Sequence, residues 1–289
     1  MPGVDPELDR QLSPSSCVAS LDAYLREYAS RSAAARRALD LRRNLRYGPH
    51  ADERLDYFPA ADRDAPLHVF VHGGNWQAVT KEDSAFPAPD FVGAGVGFVA
   101  LDYGVAPAVG LDAMVAMVRR GVRWLLAHAD ALGFDRSRLQ LSGASAGAHL
   151  AAMAVVPDDH DDGPALASAL AGLVLTSGLY DLEPVRRSYI NEALDLDAAA
   201  ARRNSPFRRL PAKLPPVVLA RGGLETDEYV RQHDLMKAAL SGRAPLVEVV
   251  EPHRNHFDLT YDLGARGTQL GDAVLAQIEA TSFSKEPAP

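Results

Sequence analysis

The stretch Arg138-Leu139-Gln140-Leu141-Ser142-Gly143-Ala144-Ser145-Ala146-Gly147-Ala148-His149-Leu150 passes from an apolar strand, through a serine flanked by glycines, into an alanine-rich helix. A strand that turns this sharply into a helix needs neighbours without bulky side chains, and it holds the serine hydroxyl exposed on the bend. The helix amino terminus beneath that hydroxyl favours negative charge developing there. A lone G-x-S-x-G is weak, so the reading depends on what surrounds it.

Working outward, strands are expected at Leu67–Val71, Val96–Asp102, Arg138–Leu141, Leu170–Thr176, Pro216–Ala220 and Leu246–Val250. Helices at Asp83–Val92, Leu111–Ala131, Ala146–Val155, Asp227–Leu240 and Ala265–Ala280 alternate with them. That rhythm predicts an α/β fold with a mostly parallel sheet covered on both faces. Two short strands bounded by proline, Leu45–Tyr47 and Arg54–Phe58, suit an antiparallel edge. Ahead of them Ser15 and Ser16 are candidate caps for a helix whose face carries Val18, Leu21, Leu25 and Tyr28, a flank spanning 15–40. Residues 180–211 break the rhythm with charge, proline and short helical pieces, as a cap-like insertion over a site does. No linker divides the 289 residues, so one α/β domain is expected.

Composition excludes several classes. The formal net charge of -8 gives no basic footprint for nucleic acid. Met1–Ser16 lacks a basic-then-apolar signal pattern, and Phe91–Leu101 is too short to span a bilayer, so a cytoplasmic protein without membrane or nucleic-acid partners is expected. A homodimer stays open. Cys17 is the only cysteine, which precludes an internal disulfide and reads as structural. Gly93, Gly95 and Gly97 lie between a helix and a strand, the reverse of a dinucleotide loop, and read as a helix end. The run Asp158, Asp159, His160, Asp161, Asp162 lacks ligand spacing and reads as a solvated loop. Neither a metal nor a cofactor is expected, and Ser282–Pro289 reads as a loose tail.

Serine is a weak nucleophile unless a base takes its proton and a carboxylate orients that base. The chain supplies such partners in the order serine, acid, histidine. His256, in Arg254-Asn255-His256-Phe257-Asp258 after the last strand, is the favoured base, with His253 as competitor. Glu225, the first carboxylate after Pro216–Ala220 and the Gly222-Gly223 turn, is the favoured acid; Asp227, which resembles a helix cap, and Asp181 are alternatives. His149, one turn after Ser145, reads as a packed helix residue. In His72-Gly73-Gly74-Asn75-Trp76 the glycines let the backbone approach closely, so the amides of Gly74, Asn75 and Ala146 are the expected oxyanion donors, with His72 and Gly73 supporting the loop.

On these motifs the chain resembles the α/β-hydrolase superfamily, and within it the kynurenine formamidases (arylformamidases) and related small carboxylesterases. The resemblance also rests on Leu101-Asp102-Tyr103 with Pro107, Ser177-Gly178-Leu179-Tyr180-Asp181-Leu182 and Glu225 through Gln232. It implies a triad of Ser145, Glu225 and His256, with glutamate where aspartate is common. It further implies hydrolysis of an aryl formamide such as N-formyl-kynurenine, or of a small carboxylic ester, in a pocket to which Trp76, Tyr103, Tyr180 and the N-terminal helix would contribute. A general carboxylesterase, a biosynthetic esterase or acyltransferase, and a non-catalytic ligand-binding protein are the alternatives.

Overall fold

Eight strands form one sheet in the order β1-β2-β4-β3-β5-β6-β7-β8 in the computed structural model, which describes residues 5–157 and 165–280. In chain order they are β1 Arg42–Arg46, β2 Arg54–Phe58, β3 Ala65–Val71, β4 Gly97–Leu101, β5 Phe134–Ala144, β6 Gly172–Thr176, β7 Val217–Gly222 and β8 Leu246–Glu251. β1 and β2 are antiparallel to their neighbours, and the rest of the sheet is parallel. This is the α/β fold expected from the alternating pattern. The acidic run at 158–162 and the tail at 282–289 lie outside the described residues.

The central strands are apolar on both sides because both sides are covered. Every residue of β3, β4 and β6 is buried, whereas the edge strand β1 is largely exposed. Successive residues serve opposite layers: Leu173 and Leu175 join the core beneath the helices Leu111–Ala127 and Ala146–Ala154, and Val174 joins Leu270, Val274 and Ile278 on the other face. Each such side chain contributes about 1.5–3 kcal/mol of burial. Among the described residues no helix is long and apolar enough to cross a membrane.

Several element boundaries differ from the sequence expectation for local reasons. The N-terminal helix is Leu21–Ala38, capped by Ser20, whose side chain accepts from the amide of Ala23; Ser15 and Ser16 belong to a separate 3-10 turn, Pro14–Cys17, and Cys17 is exposed. The helix expected from Asp83 begins at Ala88, because Thr80 and Asp83 close a capping box around their own 3-10 turn. It ends at Gly93, with Gly95 turning the chain into β4. The last helix starts at Gln269 rather than Ala265, after Gly264 and Gly267 in left-handed backbone. The long helix stops at Ala127, a separate turn follows at Ala129–Leu132, and His128 Nδ1 lies 2.7 Å from the Trp124 carbonyl.

The Leu21–Ala38 helix is clamped to the body. Arg36 pairs with buried Asp56 at 3.0 Å, the Ser32 hydroxyl accepts from the amide of Ala85, and the Tyr28 hydroxyl donates to the Phe257 carbonyl. Its apolar face is thereby set over the carboxyl ends of the strands. Residues 180–211 contribute the short helices Glu183–Arg186, Asn191–Leu194 and Ala198–Arg203.

Candidate functional site

The carboxyl edge of a parallel sheet is where successive strands deliver loops to one place. β3 delivers His72-Gly73-Gly74, β5 delivers Ser145, β7 leads to Glu225, and β8 leads to His256.

Ser145 begins the helix Ala146–Ala154 with φ 55° and ψ -121°, a conformation a non-glycine residue keeps only when its surroundings fix it. Its amide donates to the Thr176 carbonyl at 2.8 Å, which ties the bend to β6. The helix crosses β3 so closely that a Cβ on Gly147 would fall 2.0 Å from the Val71 carbonyl oxygen. A residue with a side chain at 147 would push the helix, and Ser145 with it, off the sheet.

A Cβ on Gly73 would lie 3.1 Å from Ser145 Cβ, so the two sequence-distant loops meet at the serine. The peptide groups of the first loop are oriented by what holds their carbonyls. The Gly73 carbonyl lies 3.0 Å from His72 Nδ1 and also accepts from the Tyr103 hydroxyl; the Gly74 carbonyl accepts from the amides of Gln77 and Ala78 at 2.9 and 3.0 Å. In a trans peptide the next N–H points the opposite way, so these anchors turn out the amides of Gly74 and Asn75. The amide of Ala146 is one of the free donors at a helix start. Among the described residues none of these three amides has a protein acceptor.

His72 is locked in turn by Asp102, 3.1 Å from its Nε2, and by the stacked Tyr103 ring at 4.2 Å. Trp76 donates its indole N–H to His149 Nδ1 at 3.3 Å, and His149 Nε2 lies 2.7 Å from the Asn204 carbonyl. Burial holds the His149 pKa down to about 4, against the opposing pull of that carbonyl, so the ring is neutral and joins the loop, the helix and the 180–211 segment. It is the packed helix residue expected.

His256 Nδ1 sits 3.0 Å from Glu225 Oε2, and both side chains are buried. The other oxygen of Glu225 accepts from the Ser177 hydroxyl at 2.5 Å and from the Gly222 amide at 2.7 Å. Desolvation alone would raise this carboxyl's pKa, but the hydrogen bonds and the adjacent imidazole outweigh it and hold it below the usual value. Ser177 opens the Ser177–Leu182 motif but is given no role there; its signal is a hydroxyl directly after the buried strand β6.

The competing residues lie elsewhere. His253 is exposed and absent from the cavity wall. Asp227 is exposed in the first turn of Asp227–Leu240, and the cap of that helix is Thr226, contrary to the expectation that Asp227 caps it. Asp181 pairs with Arg231 at 3.2 Å and accepts from the Glu183 amide.

Ser145 and His256 open on one cavity of about 240 Å³, together with His72, Gly73, Gly74 and Asn75. The far wall is Leu21, Leu25 and Tyr28 of the N-terminal helix with Phe86, Tyr189 and Phe257. The helix contributes as expected. Trp76, Tyr103 and Tyr180 do not line the cavity: all three are at most 1% exposed, because they brace the loops from behind. Asp83 is the one carboxylate on the wall, and no Lys or Arg is found there among the described residues.

The chain matches the BD-FAE family over residues 55–240. It is 35% identical over 272 residues to the kynurenine formamidase of Salmo salar, covering 89% of this chain and 90% of that one. The kynurenine formamidase of Danio rerio is 38% identical over 214 residues, or 71% and 70% of the two chains. A crystal structure from Silicibacter sp., proposed as a thioesterase, superposes with a TM-score of 0.81 at 27% identity, covering 95% of this chain and 100% of that one. A family match across most of the sheet, with the Salmo salar relative aligned over about nine-tenths of both chains, leads to one assignment: this chain is a hydrolase of the BD-FAE family, built on the α/β-hydrolase fold and similar to the kynurenine formamidases.

Proposed function

We propose that the protein hydrolyses an aryl formamide of the N-formyl-kynurenine kind, or a small carboxylic ester, through an acyl-enzyme on Ser145. The observation that carries this reading is the buried pair of His256 Nδ1 and Glu225 at 3.0 Å, made by a histidine that also faces the cavity shared with Ser145. Glu225 holds the ring so that Nε2 is left for the serine. His256 takes the Ser145 proton as Oγ attacks the carbonyl carbon, then returns a proton to the leaving nitrogen or oxygen. Water repeats the sequence to free the acid. The amides of Gly74, Asn75 and Ala146 receive the oxygen that becomes negative, a contribution whose loss costs about 2.7–4 kcal/mol of barrier per donor.

The apolar wall supports an aromatic leaving group. Its volume is below the usual range for ligand pockets, about 300–1,000 Å³, so the substrate is compact. An ionised group without a partner is costly to bury in such a wall. The cavity therefore favours a neutral aryl group over one bearing a carboxylate. The test is the kcat/KM of N-formyl-kynurenine, 2-formamidoacetophenone and phenyl acetate on the same preparation. Formamides turned over at least as well as phenyl acetate, with the neutral one ahead, is the expected order; a large preference for phenyl acetate transfers the reading to a carboxylesterase, and no turnover of any of the three counts against both.

A further inference from the structure

Tyr229 lies in the first turn of the Asp227–Leu240 helix, just after Glu225, within the stretch Glu225 through Gln232 that gives it no role. Its ring is 1% exposed and meets the His256 imidazole edge-on, with centroids 4.6 Å apart and planes at 68°. Its hydroxyl is buried yet has no completed hydrogen bond among the described residues. The polar groups around it are those of the site: the Ser145 hydroxyl is close enough to act on the phenol, and Glu225 lies nearby.

A phenylalanine would fill the same space and keep the same edge contact with His256 without burying an unpartnered hydroxyl. Burial of such a group is a net cost to the fold, so packing does not account for it. Its surroundings do. We propose that Tyr229 is a positioning residue for Ser145: its phenol donates to Ser145 Oγ as the serine turns toward its base, leaving the serine proton for His256 Nε2. The phenol keeps its own proton throughout. Burial, first, and the negative Glu225 oppose its ionisation and outweigh the Ser145 hydroxyl, which favours it, so the phenol stays neutral and keeps a proton to donate. The proton that moves is that of Ser145, which passes to His256 as the bond from Oγ to the carbonyl carbon forms.

This inference rests on Ser145 as the nucleophile, and the experiment separates the two. Tyr229→Phe is compared with the unmutated enzyme and with Tyr229→Leu, which also removes the ring from His256. The readouts are the rate of covalent labelling by a fluorophosphonate, kcat and KM on p-nitrophenyl acetate, and thermal stability. The expected result for Tyr229→Phe is a loss of about tenfold in both labelling rate and kcat, corresponding to one hydrogen bond gained on the way to the transition state. KM should stay within about twofold, and Tm should be unchanged or higher. Tyr229→Leu should lose more activity and also lower Tm. Labelling and kcat at the unmutated level in Tyr229→Phe, or a fall in Tm that accompanies its loss of activity, overturns the role of the phenol. Absence of label on Ser145 in the unmutated protein overturns the parent reading and this one together.

Discussion

The two walls of the cavity are built in different ways. On one side Ser145, His256 and the His72–Asn75 loop are fixed by backbone geometry: a positive φ, crossings at which a single Cβ has no room, and carbonyls pinned on their far side. On the other side Leu21, Leu25, Tyr28, Phe86 and Tyr189 are ordinary side chains, drawn from three separate parts of the chain, that happen to converge. In the proposed reaction the first wall governs attack on the carbonyl, and the second governs which carbonyl compound is held. A change on the first should therefore collapse kcat, and a change on the second should move KM.

The largest effect that could break this contrast is Ser145→Ala. It should reduce kcat by about 10⁴-fold or more while leaving the circular dichroism spectrum and Tm intact. Glu225→Gln comes next, with an expected loss of about 10²–10⁴ in kcat, because the ring of His256 is then offered a group that does not stabilise its cation. Steady-state kinetics on phenyl acetate measures both. Gly147→Ala tests the backbone side of the contrast: the 2.0 Å approach to the Val71 carbonyl should cost about 3 kcal/mol or more in urea unfolding, together with activity. Leu25→Ala on the opposite wall should raise KM for an aryl substrate by about three- to tenfold with kcat nearly unchanged; a collapse of kcat there would merge the two walls into one.

A smaller effect sharpens the account of Glu225. Its carboxyl has a lower pKa in the folded protein than in the unfolded chain. Its contribution to stability is therefore full above the unfolded value, about 4.3, and is lost as pH falls through the lower folded value. The unfolding free energy of the unmutated protein should decline more steeply than that of Glu225→Gln below about pH 4.5, measured by urea titration at successive pH values. Parallel slopes would mean that this carboxyl is not held ionised by its partners.

The same contrast explains what could be read from the sequence. Ser145, the glycines at 73, 74, 143 and 147, and the strand-helix alternation are legible because tight backbone geometry restricts which residues fit, and restriction leaves a pattern. Glu225 is the first carboxylate past its strand, a positional signal that separates it from Asp227, whereas His253 stands nearer the end of β8 than His256, so the choice between the two histidines rests on the loop that leads to the last helix. The cavity wall left no such trace: Phe86 and Tyr189 sit in irregular segments without periodicity. Trp76, Tyr103 and Tyr180 looked like pocket residues because they adjoin the motifs, yet adjacency along the chain placed them behind the loops. Tyr229 left no signal because an aromatic residue in the first turn of a helix reads as core, and its distinction is an unpartnered hydroxyl on a ring packed against His256.

The most direct test is fluorophosphonate labelling followed by peptide mapping of the unmutated protein, His256→Ala and His253→Ala. The account predicts modification of Ser145 alone in the unmutated protein and in His253→Ala, and at least a hundredfold slower modification in His256→Ala, whose fold is retained. Label on another residue, or undiminished labelling of Ser145 when His256 is removed, would contradict it.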